Sequence, residues 1–366
     1  MNVLISGGGT AGHINPGIAI AKFVRSKHPD ANILFVGTRR GMEGKLVPAE
    51  GFNIKFIKVR GFKRSLSFDN LVVVKELFEG LREAKKIINE FKPDIVIGTG
   101  GYVCGPVVYM AWRMKIPTLI HEQNAFPGVT NRILARFVNA VAISFKESEK
   151  YFKHPEKLVY TGNPIRQEII QSKRSSAREK LGLKPGEKLV VIAGGSLGAQ
   201  KINQVVTSML LKYGKLIDYN IIFSTGNSQY ETVKKSLEGF SKPSIKIVPY
   251  IYDAADVYAA ADIMVCRSGA ITCSEVTVLG LPAIMIPSPN VVANHQEYNA
   301  RSLEKQGAAV VILEKDFNEE VLYSQIDKLL MDETKLHKMS ANSKKIGIQN
   351  ASEKIYEVIE KLISNE

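Results

Sequence analysis

Two stretches of this chain carry the same local device, and that repetition limits the fold more than any other feature. Val3-Leu4-Ile5 runs into Gly7-Gly8-Gly9-Thr10-Ala11-Gly12-His13, and Val190-Val191-Ile192 runs into Gly194-Gly195-Ser196-Leu197-Gly198-Ala199-Gln200. Each reads as a buried strand, a glycine turn and the start of a helix, an arrangement whose helix-end N–H groups can receive an anion. Around both, short apolar runs alternate with longer amphipathic stretches, the signature of parallel strands joined by crossover helices. The fold class is therefore α/β, with two Rossmann-like doubly wound domains facing a common cleft. At 366 residues the chain is long enough for two cores.

In the first half the pattern places strands near 2–5, 32–36, 54–58, 94–98, 117–121 and 140–143, with helices near 14–27, 70–91, 105–113, 128–136 and 146–152. The turn-rich Thr161-Gly162-Asn163-Pro164 then puts a domain boundary near 163. A second series follows, with strands near 188–193, 219–224, 245–248, 262–266, 282–286 and 309–312 and helices between them. Lys344 to Ile363 reads as a terminal helix.

Apolar runs such as Leu189 to Ala193 are far shorter than the roughly 20 residues needed to cross a bilayer. Met1-Asn2-Val3-Leu4-Ile5-Ser6 lacks the basic start and longer apolar stretch of a secretory signal, which predicts a chain that stays in the cytoplasm. Cys104, Cys266 and Cys273 show no metal-binding spacing, so they are expected to be buried small apolar residues, with no disulfide and no metal. A formal net charge of +13 fits a phosphorylated ligand, a membrane surface or nucleic acid, or simply a basic solvated surface. There is no arginine-rich tract or recognisable motif to favour nucleic acid.

Gly7 to Gly12 satisfies the dinucleotide-binding spacing G-x-G-x-x-G. The NAD reading also needs an acid at the end of the second strand, and here Ile33-Leu34-Phe35-Val36 ends in Gly37-Thr38-Arg39. A NADP enzyme could use Arg39 and Arg40 on a 2′-phosphate. His13, at the start of a helix whose dipole disfavours its protonation, is either a neutral general base or a polar helix-start residue without chemistry.

Gly98-Thr99-Gly100-Gly101-Tyr102 and His121-Glu122-Gln123-Asn124 also follow strand ends, where open α/β sheets bind ligands. The alternative is loop chemistry, with His121 or Glu122 satisfied by neighbouring backbone. In the second half Ser196 and its loop can hold a phosphate. So can the helix start after Val265-Cys266-Arg267-Ser268-Gly269-Ala270-Ile271-Thr272, while Glu275 is placed either to accept ribose hydroxyls or to gain from the dipole. Asn294-His295-Gln296-Glu297 opens a further helix.

Taken in order, GGGTAGHINPG, GTGGYVCGP, HEQNAFPGVTNR, TGNPIR, GGSLGAQ, CRSGAITCSE, GLPAIMIPSP and NHQEYNA resemble the motifs of one bacterial family over roughly residues 1 to 307. It is the MurG family, the undecaprenyl-diphospho-muramoylpentapeptide β-N-acetylglucosaminyltransferases of glycosyltransferase family 28. The resemblance implies a two-domain transferase of GT-B architecture with no metal and no cofactor. It would move N-acetylglucosamine from its UDP donor to a lipid-linked muramoyl-pentapeptide, with inversion, in peptidoglycan synthesis, cell shape and cell division. It implies an acceptor- and membrane-binding domain of residues 1–163 plus 344–366, and a donor-binding domain of residues 164–343.

By the match, Arg166, Ser196, Ile251, Ser268, Gly269, Ala270, Ile271, Thr272, Glu275 and Gln296 contact the UDP-sugar, and Thr10, Ala11, Gly12 and Asn124 approach its diphosphate and sugar. His13 maps onto the family's proposed base. Some relatives carry two adjacent glutamines where this chain has His295-Gln296, so Gln296 is the residue expected to keep the sugar contact. The implied partners are UDP-N-acetylglucosamine, the lipid-linked acceptor, an anionic membrane and other cell-wall synthesis proteins, with the chain peripheral at the cytoplasmic face.

A lipid acceptor requires the chain to reach the bilayer. Phe62-Lys63-Arg64 and the helix around Leu71, Val74, Lys75 and Phe78 mix apolar with basic side chains, and Trp112 and Arg136 belong to the same domain. The alternative makes Leu71, Val74, Leu77, Phe78 and Leu81 an ordinary core stripe, leaving Val72 and Val73 as surplus. Rival functions are transfer to diacylglycerol, UDP-N-acetylglucosamine 2-epimerisation and nucleotide-sugar binding without turnover.

Overall fold

The structure, a computed structural model, describes residues 1–61, 69–195 and 198–364. The chain divides into two compact units, Met1–Ile165 with Asn350–Glu366, and Arg166–Gln349.

The first unit holds a seven-stranded sheet made of β1 (Asn2–Gly7), β2 (Asn32–Gly37), β3 (Asn53–Phe56), β4 (Ile95–Gly100), β5 (Thr118–Glu122), β6 (Ala140–Ile143) and β7 (Leu158–Tyr160). Its spatial order is β3-β2-β1-β4-β5-β6-β7, every pair parallel. Val3, Leu4, Ile5, Ile95, Val96 and Ile97 are fully buried because helices cover both faces, which is why these strands read as unbroken apolar runs.

The second unit repeats the plan with β8 (Leu189–Ala193), β9 (Asn220–Ser224), β10 (Ile245–Val248), β11 (Ile263–Cys266), β12 (Ala283–Met285) and β13 (Ala309–Val311). Their order, β10-β9-β8-β11-β12-β13, is the same winding, again parallel throughout. In each sheet the order reverses beside the strand that feeds a glycine loop, between β1 and β4 and between β8 and β11. Crevices at such switch points are where open α/β sheets take ligands.

Several expectations need correction. Strand β7 and the short helix Glu43–Ala49 escape the sequence pattern: the strand is an edge whose apolar run, Leu158-Val159-Tyr160, is only three residues long, and the helix carries Gly44 and Pro48. Lys146–Tyr151 is a 3-10 helix rather than an α-helix. The expected terminal helix is two, Glu333–Ile346 and Ala351–Ser364, parted where Gly347 passes so close to the Thr277 carbonyl that a side chain would collide. The last helix buries Ile355 and Ile359 in the core that also holds Val3, Ile5 and Ile14. Among the described residues no helix is long and apolar enough to cross a membrane.

Candidate functional site

The β1 loop leads into the helix Ala11–Lys27, with Thr10 as its extended N-cap residue. Thr10 and Gly12 are exposed and Ala11 half-buried, so the helix start is open to a ligand. The turn before it is already filled. Glu43, fully buried, accepts the Gly9 N–H at 3.1 Å through Oε2, and the Thr38 N–H and hydroxyl, each at 2.8 Å, through Oε1. A carboxylate inside the glycine turn occupies part of the cradle that a dinucleotide would use, which argues against the NAD and NADP readings. Arg39 and Arg40 are exposed, and the Arg39 guanidinium lies 5.2 Å from the centre of the Phe56 ring.

His13 sits in the first turn of the helix, its backbone carbonyl accepting the Thr99 hydroxyl at 2.7 Å. Its ring packs on Gly100, where φ is +108° and any side chain would collide with the imidazole. His13 Nδ1 lies 3.0 Å from Gln123 Oε1. Gln123 Nε2 lies 2.8 Å from the Thr99 carbonyl, 3.0 Å from the His121 carbonyl and 3.0 Å from His121 Nδ1. His121 Nε2 in turn lies 3.1 Å from the Gly162 carbonyl and 3.2 Å from the Ser144 hydroxyl. Burial pushes the His121 pKa down to about 4, leaving it neutral at pH 7.

Glu122 holds the adjoining loop. Its Oε1 accepts from the Asn124 N–H at 3.0 Å and its Oε2 from the Gly128 N–H at 3.0 Å and Asn131 Nδ2 at 2.9 Å. His121 and Glu122 are thus internal partners of the fold, as the loop-chemistry reading has it, and half-buried Asn124 is the member of the four held at the edge. Cys104, on the helix Cys104–Arg113, is buried against the Ser6 carbonyl at 2.8 Å, and burial pushes its thiol up to about 12. Cys266 and Cys273 are likewise buried, free thiols.

In the second unit Gly198 has φ +77° and lies against the Thr225 carbonyl, where a side chain would not fit. Ser196 lies outside the described residues, as do Phe62, Lys63 and Arg64. Beyond β11, Ser268 is fully buried and donates to the Gln296 carbonyl at 2.8 Å, while Asn299 Nδ2 donates to the Ser268 carbonyl at 3.1 Å. Gly269 caps the helix Ala270–Leu279, whose first turn presents Ala270, Ile271 and Thr272. Such N–H groups lack intrahelical acceptors and suit an anion.

Glu275, one turn further in, is buried, and its carboxylate meets Arg166 Nη2 at 3.1 Å. Burial raises its pKa, and Arg166 opposes that rise. Gln296 accepts the Ser288 N–H at 2.9 Å through Oε1, and His295 Nδ1 donates to the Val292 carbonyl at 2.8 Å. Ile251 is buried, beside Tyr250 and Tyr252, whose rings meet edge to face at 5.1 Å.

Full-length comparison decides what this pair of sites belongs to. Residues 3–143 match the glycosyltransferase family 28 N-terminal domain, and residues 189–358 match its C-terminal domain. A protein of Acetivibrio thermocellus named as a UDP-N-acetylglucosamine–N-acetylmuramyl-(pentapeptide) pyrophosphoryl-undecaprenol N-acetylglucosamine transferase is 59% identical, covering 100% of this chain and 99% of that one. This chain belongs to glycosyltransferase family 28. A Ruminiclostridium cellulolyticum protein of the same name is 53% identical over 99% of this chain and 100% of its own. The crystal structure of Acinetobacter baumannii MurG superposes with a TM-score of 0.80 at 29% identity, covering 98% of this chain and 99% of that one. The residue that sequence reading missed is Glu43, which carries no local signal of its role; Thr99 and Gln123 lie in the candidate segments after β4 and β5, but their contacts to His13 are visible only in the fold.

A separate surface of this family 28 chain lies on its first unit. On the helix Asp69–Phe91 the buried stripe runs through Val73, Ala84, Ile87 and Ile88, while Val72, Val74 and Phe78 are exposed. The expected core stripe at Val74 and Phe78 is therefore out of phase, because Val73 takes the inward position. Trp112 packs against Phe137 at 4.8 Å and Tyr109 at 5.6 Å, and exposed Val129 and Ile133 lie on the next helix. Lys75, Arg113 and Arg136 are exposed in the same segments.

Proposed function

We propose that this chain transfers N-acetylglucosamine from UDP-N-acetylglucosamine to undecaprenyl-diphospho-N-acetylmuramoyl-pentapeptide, forming the disaccharide lipid precursor of peptidoglycan with inversion at the anomeric carbon. The observation that carries this is the 59% identity, along the whole of both chains, to a protein named for that transfer. It is a UDP-N-acetylglucosamine-dependent hexosyltransferase.

In the mechanism His13 removes the proton of the acceptor hydroxyl as its oxygen attacks the anomeric carbon. The bond from that carbon to the diphosphate breaks, and the electron pair leaves on UDP. The residues 166–349 take the donor. The helix start at Ala270, Ile271 and Thr272 stabilises the charge on the diphosphate, Arg166 adds its cation, and Glu275 accepts ribose hydroxyls. Thr10, Ala11, Gly12, Asn124, Ser196, Ile251, Ser268, Gly269 and Gln296 complete the binding set. The buried carboxylate of Glu275, kept beside a cation, and the helix that starts two residues after Ser268 support these roles.

The lipid acceptor places the chain at the cytoplasmic face of the membrane, held through the first unit. Exposed Val72, Val74, Phe78 and Trp112 together with Lys75, Arg113 and Arg136 support this reading, each cation near an anionic surface being worth about 1 kcal/mol.

The test incubates purified protein with radiolabelled UDP-N-acetylglucosamine, with and without the muramoyl-pentapeptide lipid diphosphate. Label entering the lipid fraction only with acceptor is the expected result. A new UDP-sugar formed without acceptor would mean epimerisation. A His13→Ala protein that binds donor and keeps near-normal turnover would remove His13 from the role of base.

A further inference from the structure

We propose that Gln123 is a positioning residue that fixes His13 in one tautomer, with the proton on Nδ1 and the lone pair on Nε2. Its neighbours fix which way the Gln123 amide points. The side chain is 1% exposed, and one end of it faces the Thr99 carbonyl at 2.8 Å and the His121 carbonyl at 3.0 Å. Carbonyl oxygens only accept, so the amide NH2 must be the end that faces them. The amide oxygen therefore faces His13, 3.0 Å from Nδ1. An amide oxygen has no hydrogen to give, so Nδ1 supplies it.

The next link holds Gln123 in place. His121 is fully buried and its Nε2 sits 3.1 Å from the Gly162 carbonyl, again an acceptor only, so Nε2 carries the hydrogen. In the neutral ring Nδ1 is then an acceptor, placed to receive the second Gln123 hydrogen at 3.0 Å. Hydrogen bonds consequently run one way, from His13 to Gln123 to the Thr99 carbonyl and His121, and from His121 to the Gly162 carbonyl. Reversing the first would set the His13 lone pair against the Gln123 oxygen and leave a buried acceptor unpaired.

An amide is the fitting partner here. A carboxylate at position 123 would favour the imidazolium, whereas a base must start neutral; the amide orients the ring without adding charge. In the proposed reaction the acceptor proton then arrives on Nε2. That kinetic consequence rests on His13 being the base; the tautomer itself does not.

The experiment has two arms. Nitrogen-15 NMR of the full-length protein labelled in its histidines, with His13 assigned by loss of its signals in His13→Ala, reads which ring nitrogen holds the proton. A protonated Nδ1 and unprotonated Nε2 at pH 7.5 is expected, and the reverse overturns the proposal. The second arm compares Gln123→Met and Gln123→Glu. Gln123→Met, of similar length but unable to accept, should lower kcat by about 10-fold to 100-fold with donor KM within about twofold, a part of the roughly 100-fold to 10,000-fold that a general base contributes. Gln123→Glu should move the acid limb of the kcat profile to higher pH, a change that a merely structural role would not produce. An unmoved profile together with an unchanged kcat in Gln123→Met would also overturn it. Should Gln123→Met fold poorly by circular dichroism, the wild-type spectrum and Gln123→Glu still decide. Near-normal turnover in His13→Ala would remove the base assignment while leaving the NMR result to judge the tautomer.

Discussion

Replacing Arg166 with Met removes the cation beside Glu275 and keeps most of the side-chain volume. The pair is 3.1 Å apart, with the Glu275 side chain 9% exposed and that of Arg166 53% exposed. Coulomb's law at that distance gives about 1.3 kcal/mol in water and roughly 5 kcal/mol at an effective dielectric constant of 20. Because half of Arg166 is in solvent the screened value applies more than the buried one, and a loss of about 2 kcal/mol is expected.

The sign of the pH dependence follows from Glu275. Burial already raises its folded pKa above the ordinary 4.5, and loss of Arg166 raises it further. A raised acid binds more protons folded than unfolded, so its contribution is intact below pH 4.5 and is lost as pH climbs through the folded pKa. The Arg166→Met deficit should therefore be small at pH 4.5 and full at pH 8. For a unit of this size about 2 kcal/mol corresponds to roughly 4–8 °C in the melting of residues 166–349, measured by scanning calorimetry at both pH values. An equal deficit at the two pH values would mean that Arg166 acts by packing, and no deficit at all would refute the pairing argument.

Three further outcomes are expected. His121, held near pKa 4 against an ordinary 6.5, binds fewer protons folded than unfolded between those values, so wild-type stability should fall by about 3 kcal/mol as pH drops from 6.5 to 4. Urea titrations of His121→Gln should show a shallower fall, and an identical slope would count against the assignment. Phe78→Ser should reduce sedimentation with anionic vesicles at low salt while changing stability by no more than about 0.5 kcal/mol, since the ring is exposed; undiminished sedimentation would exclude this face. Glu43→Gln sets an NH2 against at least one of three donors and should destabilise the first unit by about 1–3 kcal/mol, with an unchanged melt contradicting it.

Both switch-point loops were legible because each lies where an apolar strand meets glycines, a signal confined to a few adjacent residues. The buried partners were not. Glu43 follows Gly9 by 34 positions and Gln123 follows His13 by 110, so the role of the first exists only once β1 and β2 lie side by side, and that of the second once β1, β4 and β5 do. Strand β7 was missed because its apolar run, Leu158-Val159-Tyr160, is only three residues long and lies at the sheet edge. The phase of the Asp69–Phe91 helix was missed for a different reason. Leu71 to Val74 is apolar at every position, so periodicity there cannot fix the inward face; Val73 is buried where Val72 and Val74 are exposed.

Two sheets wound in the same order, each with a glycine loop at the same strand, raise the problem of telling the copies apart. Glu43 answers it for the first by lodging a carboxylate in the turn, while Gly195 of the second has, among the described residues, nothing within 4 Å of where a side chain would begin. On the proposed donor assignment, a molecule built from near-duplicate halves then has a single address for a nucleotide diphosphate. UDP released at the end of a cycle should accordingly titrate at one equivalent per chain, with no second, unproductive place to lodge.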